Sequence, residues 1–494
     1  MSVRVRFAPS PTGYVHIGSL RTALYDYLYA KKHDGKYVLR IEDTDRTRLV
    51  EDALDNLMEA VDWAGVMHDE GPVKNESGEM VQLGEKGPYI QSERLHIYRP
   101  YVDQLVEAGH AYYCFCSKDR LDALREENKA KGIFSGYDGH CRDLPLEDAK
   151  KRVEAGESYV VRLKLPTDKE IVIDDMVRGR VVMNTNDSDD QVLLKADGFP
   201  TYHMAVIVDD HLMGITHIIR GEEWLPSTPK HIVLYEMLGW EIPKYAHLPN
   251  ILNSEKKKLS KRHGDVSVAD FRKKGYLPEA LVNFLALVGW SPEGDQEIMS
   301  MDEMIEKFSF DRVSKSGGVF DVQKLNWMNN HYIKEADLDR LTEMAVPYAV
   351  ESGYLTEDAV EGHKEWLGRI VDLSREYLEY MAQIPKHIEL FIGEEVKLED
   401  DQAKEMVEME HVPAMLEVLK AQLDAAEDFD AASVKKAFKA TQKESGVKGK
   451  NLFMCTRVAL TGQVHGPDLM EIISILGRET AKKRVDFTLQ NLCK

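Results

Sequence analysis

At 494 residues, with 43% hydrophobic and 30% charged side chains, the chain is too long for one ordinary core and too apolar for a disordered one, so several globular domains are expected. The formal charge of −21 excludes broad, nonspecific attraction to nucleic acid but not a local basic face. No uninterrupted apolar run is long enough to span a bilayer, and "MSVRVRFAPS" lacks the apolar core of a signal peptide, so a cytoplasmic protein with no membrane partner is expected.

The stretch "VRVRFA" (3–8) alternates and predicts a strand. The turn "PSPTGYVHIGS" (9–19) follows, and "LRTALYDYLYAKK" then puts Leu20, Leu24, Tyr27 and Leu28 on one stripe of a helix. His33-Asp34-Gly35 carries a glycine C-cap signal, and "YVLRI" (37–41) predicts a second strand opening into the charged "EDTDR". Strand, turn, helix, strand is a βαβ unit and indicates a parallel sheet. Ligands of such sheets sit at the carboxyl ends of the strands, where 9–19 and Glu42 both emerge. "PVKNESGEMVQLGEKGP" (72–88) reads as a polar surface loop. From about 111 to 195 the pattern is mixed, with β-rich runs such as "YVVRLKL" and "RGRVVM", and reads as an inserted domain. "TYHMAVIVDDHLMGITHIIRGEEW" (201–224) returns to α/β character, and beyond about Val266 nearly everything reads as helix. The acidic run 394–410 reads as a solvated helix face.

Two stretches carry chemistry. Pro9 and Pro11 stiffen the first turn, while Gly13 and Gly18 let backbone approach a ligand closely. A helix starting beside Gly18 would aim free N–H groups and its positive end at an anion or phosphate, with His16 as an added donor. A capped turn with a packed histidine is the alternative. In "EKKKLSKRHG" (255–264), Lys258, Ser260, Lys261 and Arg262 suit a loop that stabilises a transferring phosphate, the alternative being a solvated basic run. Five cysteines make no disulfide framework. Cys114, Cys116 and Cys141 lie close together, whereas Cys455 reads as a buried small apolar residue and Cys493 as part of a frayed terminus.

"HIGS" (16–19) paired with "KLSKR" (258–262) resembles the two signature motifs of class I aminoacyl-tRNA synthetases. More narrowly, "RFAPSPTGYVHIG", "RIEDTDRTR", "GPYIQSERL", "DGFPTYHMAVIVDDH", "IIRGEEW" and "FDVQKLNWMN" resemble the bacterial glutamyl-tRNA synthetase family, in family order from Arg4 to about Lys334. Ser19 departs from the second histidine of the general class pattern, and Leu259 replaces the usual methionine. The resemblance implies an α/β fold: a Rossmann-like catalytic domain in two halves (1–110 and 201–253) around an inserted acceptor-binding domain (111–200). A stem-contact domain with the KLSKR loop (254–335) and a helical anticodon-binding region (336–494) would follow.

The implied activity is ligation of L-glutamate to the 3′ end of tRNA(Glu) through a glutamyl-adenylate, with ATP as substrate and Mg2+ on its phosphates. Whether tRNA(Gln) is charged as well stays open, and a monomer is the default. Carried over by position, Arg6, Ala8, Ser10, Glu42, Tyr202 and Arg220 would bind glutamate, Glu42 meeting the ammonium and Arg220 able to fork onto a carboxylate. His16, Gly18 and Lys261 would handle ATP, and Lys258 and Ser260 join them in the implied catalytic set. Asp209 and Asp210 would either orient the pocket or cap a strand end.

"YCFC" (113–116) and "YDGHCRD" (137–143) resemble the zinc knuckle of some members, Cys-x-Cys then Cys-x-His. A structural Zn2+ at Cys114, Cys116 and Cys141 is implied. Asp143 stands where the histidine is expected, as candidate fourth ligand, and His140 lies on the other side of Cys141. Lys435, Lys436, Lys439, Lys448, Lys450 and Arg457, near Phe438 and Phe453, are either anticodon contacts or ordinary helix-surface cations. A glutaminyl enzyme would carry β-barrel anticodon domains, and a truncated transferase or small nucleotidyltransferase would lack the long helical tail.

Overall fold

The computed structural model describes residues 2–44, 50, 52–132, 136–260 and 265–493. These fall into two compact units, one of Met1–Arg272 with Pro278–Leu325, the other of Lys273–Leu277 with Asn326–Lys494.

In the first unit, β1 (Arg4–Phe7) leads into α1 (Ile17–Lys32) and β2 (Lys36–Leu39), and β1 pairs with β2 in parallel. The expected βαβ start is therefore present. α1 is buried nearly all round, with Leu20, Leu24 and Leu28 in the core beside Arg21 and Asp26. The glycine signal at its end works differently from the expectation. Asp34 takes the left-handed conformation (φ 48°), and Gly35 is required because a Cβ there would stand 2.4 Å from the Val3 carbonyl oxygen.

Next come α2 (Ala53–Trp63), β3 (Gly71–Lys74), β4 (Met80–Leu83) and α3 (Leu95–Glu107). The segment read as a surface loop is thus a hairpin, with β3 and β4 antiparallel from Gly71↔Leu83 to Lys74↔Met80. Its turn is held by the Asn75 Oδ1, which accepts from the backbone N–H of Ser77 (3.0 Å) and Glu79 (2.9 Å). With Gly71 and Pro72 buried and Val81 and Leu83 exposed, burial in this ribbon does not follow apolar alternation, so its sequence looks like loop.

Then follow β5 (Ala111–Cys114), α4 (Lys118–Ala130), α5 (Leu146–Glu154), β6 (Val160–Leu163), β7 (Glu170–Asp175), β8 (Gly179–Asn184) and β9 (Val192–Leu194). β5, β6 and β9 form a small antiparallel sheet. The chain closes the fold with α6 (Tyr202–Leu212), β10 (His217–Gly221), α7 (Thr228–Leu238) and β11 (Lys244–Leu248). β10 and β11 pair in parallel, and β7 joins β11 at Tyr245↔Asp175, giving the order β10-β11-β7-β8. β1 abuts β10, where the Arg4 N–H meets the Thr216 hydroxyl (2.8 Å) and the Thr216 N–H meets the Arg4 carbonyl (2.9 Å). The chain therefore leaves this centre in opposite directions, β1 toward β2 and β10 toward β11. Such a switch point opens a crevice at the carboxyl ends of the strands.

The second unit is helical, from Leu338–Glu351 through Arg478–Asn491. One of its cores joins Leu416, Leu419, Phe438, Leu452 and Ile473. Of the acidic run 394–410, only Asp401–Val407 forms a helix longer than one turn, and that helix buries Ala403 and Val407. Cys455 is buried in this core as expected. Cys493 is tied to the preceding helix by its N–H to the Thr488 carbonyl (3.0 Å), not frayed. Among the described residues no helix is long and apolar enough to cross a membrane.

Candidate active site

The crevice holds a cavity of about 690 Å3. Arg6 and Ala8 from the end of β1, Ser10 from the following turn, Glu42 beyond β2, Tyr202 at the start of α6 and Arg220 near the end of β10 all line it. The structure brings together all six residues expected around glutamate.

Their charges are set by a buried network. The Arg6 Nε donates to Asp210 (3.1 and 3.3 Å), the Arg40 guanidinium donates to Asp210 (2.7 Å) and to Glu42 (2.9 Å), and Arg94 donates to Asp209 (2.7 Å). Gln91 and the Tyr98 hydroxyl complete the shell of Asp209, each at 2.9 Å. Burial alone would raise the Asp210 carboxyl, but Arg6 and Arg40 outweigh it and hold it below its ordinary value. Burial does prevail at Glu42, whose carboxyl lies above its ordinary value despite Arg40 and Arg6. Asp209 and Asp210 sit inside α6 with no exposure, which overturns the strand-cap alternative. Buried without a break from Met204 to Asp210, this helix shows no amphipathic stripe in its sequence.

Arg220 differs from Arg6. Its side chain is buried, with 5% of the residue exposed, and its described partners carry no negative charge. The Nε donates to the His247 Nε2 (3.1 Å), one terminal nitrogen lies 3.3 Å from the His231 Nδ1, and the other donates to the Thr228 hydroxyl (2.9 Å). Burial pushes both imidazoles below their ordinary value, so both are neutral near pH 7. A buried guanidinium without a counter-ion calls for an anionic ligand. Tyr202 packs against Trp224 at a tilt of 32°, ring centres 4.2 Å apart, and walls the same cavity.

A second cavity of about 370 Å3 adjoins the first and shares Ser19, Thr22, Gly221 and Glu223 with it. His16 and Gly18 line one side, Lys258 and Ser260 another. The two signature stretches thus meet at one place. Lys258 to Ser260 are held by a hairpin in which the Leu259 N–H meets the Ile251 carbonyl (2.9 Å). Lys261 and Arg262 lie outside the described residues.

One expectation is corrected here: the first N–H groups of α1 are not free. The Ile17 N–H bonds the Val266 carbonyl, the Gly18 N–H bonds the His16 Nδ1 (2.9 Å), and those of Ser19 and Leu20 bond the His16 carbonyl. His16 is the N-cap. Because its Nδ1 accepts, the proton of the neutral ring sits on Nε2.

The cysteines gather as expected. The sulfurs of Cys114, Cys116 and Cys141 lie within 4.8 Å of one another, Cys116 and Cys141 at 3.7 Å. Asp143 is not with them: its side chain is 90% exposed and faces Lys164 at 3.5 Å. Tyr137 stands beside them instead, its hydroxyl 3.3 Å from the Cys114 Sγ and 3.6 Å from the Cys116 Sγ and accepting the Cys141 N–H (3.0 Å). Tetrahedral zinc bonds of about 2.3 Å to sulfur and 2.0 Å to oxygen put ligand atoms about 3.5–3.8 Å apart, so these residues fit a metal. Cations face the cluster, the Arg162 guanidinium 3.8 Å above the Tyr137 ring centre and Arg120 3.6 Å from the Cys116 Sγ. Tyr137 stands four residues before Cys141, a spacing that a search for histidine alone passes over.

The chain matches the tRNA synthetases class I (E and Q) catalytic domain over residues 2–327 and an anticodon binding domain over 340–489. It is 59% identical over 491 residues to the glutamate–tRNA ligase of Alkaliphilus metalliredigens, covering 99% of both chains. It is 54% identical over 492 residues to that of Clostridioides difficile, covering 100% of both. Among solved structures, a glutamate tRNA ligase from Elizabethkingia meningosepticum in complex with its amino acid superposes with a TM-score of 0.88 at 37% identity, covering 100% of both chains. With its two signature stretches meeting at one cavity beside the charged crevice, the chain belongs to the glutamate–tRNA ligases, class I tRNA synthetases with a helical anticodon-binding unit.

Proposed function

We propose that the chain ligates L-glutamate to the 3′ end of tRNA(Glu) in two steps, with the larger cavity holding glutamate and the adjoining one ATP. The observation that carries this reading is the shared wall of Ser19, Thr22, Gly221 and Glu223, which lets reactants seated in the two cavities touch. In the first step a glutamate α-carboxylate oxygen attacks the α-phosphorus of ATP. The bond to the bridging oxygen breaks, and pyrophosphate leaves with the electron pair. Mg2+ bound with ATP would neutralise charge on the phosphates. The His16 Nε2–H donates to phosphate oxygens, with Lys258 and Ser260 across the same cavity. Glu42 accepts from the substrate ammonium, and Arg220 meets the side-chain carboxylate. In the second step a ribose hydroxyl of the tRNA takes the glutamyl group and AMP leaves. A structural zinc held by Cys114, Cys116, Cys141 and Tyr137 would fasten the knuckle.

Glutamate-dependent exchange of labelled pyrophosphate into ATP, strongly raised by tRNA(Glu), is the expected result. Exchange with glutamine instead, or none with any tRNA, overturns the assignment. Aminoacylation of purified tRNA(Gln) in the same preparation decides whether that tRNA is also a substrate.

A further inference from the structure

Behind Arg220 lie two histidines that neither the motifs nor the cavity lining single out for a role. The His231 Nδ1 faces the Arg220 guanidinium at 3.3 Å, and its Nε2 faces the His203 Nδ1 at 2.9 Å. His231 is fully buried, and His203 does not line the glutamate cavity. We propose that His203 and His231 are positioning residues for glutamate selectivity: a relay of neutral imidazoles that aligns Arg220 and leaves its charge to the substrate. The proposal rests on the reading that Arg220 meets the substrate carboxylate.

The direction of the relay follows from donor counting. A guanidinium has donors only, so the His231 Nδ1 must offer a lone pair. Its proton then sits on Nε2 and needs an acceptor, which the His203 Nδ1 supplies, placing the His203 proton on its own Nε2. The opposite tautomer of His231 would set N–H against N–H at Arg220 and push the guanidinium aside. His203 therefore acts on the cavity from outside by fixing which nitrogen of His231 carries the proton.

The choice of imidazole over carboxylate has a reason. A carboxylate in place of His231 would pair with Arg220 and cancel the charge that a side-chain carboxylate needs. The matching arm through His247 does end on a carboxylate, Asp175, at 2.6 Å from the His247 Nδ1, but the ring stands between it and Arg220. Burial among cations keeps the first arm uncharged, with His203 pushed down to about 4 chiefly by burial and then by Lys230 and Arg220. Arg220 is thus held in place by neutral acceptors and favours glutamate over the uncharged glutamine.

His203→Leu keeps bulk and removes the acceptor, whereas His203→Asn places an amide oxygen where the Nδ1 was. The expected result for His203→Leu is a KM for glutamate raised about tenfold or more, with kcat and the KM for ATP within about twofold of wild type, and a narrower preference for glutamate over glutamine. His203→Asn should return the KM to within about threefold. An unchanged KM in His203→Leu, equal losses in both variants, or a fall in kcat and ATP affinity alongside would overturn the relay. Ring 15N shifts of His231 in the wild-type protein give a reading independent of variant folding: protonation at Nε2 supports the proposal and protonation at Nδ1 overturns it. If wild-type protein fails to activate glutamate, the reading of the pocket falls, while the 15N result still decides the relay.

Discussion

Asp26 shows how far a single buried group can depart from its solution behaviour. It sits on α1 with no exposure, and among the described residues neither carboxylate oxygen has a hydrogen-bond partner. Burial raises its pKa well above the ordinary 3.8, with Arg6 opposing and Asp210 reinforcing the shift. The folded state therefore keeps a proton that the unfolded chain gives up. The stability this lends is complete below about pH 3.8 and is lost as pH rises toward the folded value, at about 1.4 kcal/mol per unit. Asp26→Asn does not titrate, so its Tm should gain on wild type as pH climbs from 4 to 8. Parallel Tm curves across that range would show that Asp26 is ionised in the fold. The contrast with Asp210 lies in its partners: Arg6 from β1 and Arg40 just beyond β2 turn an equally buried carboxyl into an anion. Arg6 and Glu42 are legible at the cavity through motifs, whereas Arg40, just past the end of β2, reads as part of the run "YVLRI" and carries no signal of its own.

At the scale of elements, what was legible followed period and motif, and what was not followed partners distant in sequence. β1, α1 and β2 are legible because alternation, the Pro/Gly turn and the Leu20, Leu24, Leu28 spacing follow one another in one short stretch of chain. The hairpin of β3 and β4 is not, because its apolar Val81 and Leu83 lie exposed, nor is α6, whose buried residues run unbroken from Met204 to Asp210 and show no stripe. The knuckle illustrates the second limit. Three cysteines are legible by spacing, but a fourth partner depends on where the turn folds Tyr137, and the Cys-x-His pattern points to Asp143 instead. Purified without added metal, the protein should carry about one equivalent of zinc by elemental analysis. Tyr137→Phe should weaken zinc retention against a chelator about 10–100-fold. Asp143→Ala, altering a side chain that points to solvent, should retain zinc as wild type does. Less than about a tenth of an equivalent in wild type, or equal retention in Tyr137→Phe, would refute this ligand set.

For the whole molecule, the problem is how a chain of charge −21 engages a polyanion. The helix Ala431–Ser445 offers an answer in its own periodicity. It buries Val434, Ala437, Phe438 and Thr441, which turns Lys435, Lys436 and Lys439 outward together. Phe438 is therefore core and no stacking platform, whereas Phe453, 43% exposed and 5.3 Å from the Phe438 ring centre, remains available at the surface. Arg457 is spoken for by the Pro467 carbonyl at 2.7 Å. A basic ridge of this kind acts by releasing counterions from phosphates, so its contribution must fade with salt. Reversing Lys435, Lys436 and Lys439 to glutamate should raise the KM for tRNA about tenfold or more at moderate ionic strength and flatten its dependence on salt. Because these lysines lie in the second unit and both cavities in the first, pyrophosphate exchange at saturating tRNA should stay at the wild-type rate. A KM and salt slope equal to wild type would assign RNA binding to another face, and a fall in exchange at saturating tRNA would mean that the ridge shapes the catalytic unit itself.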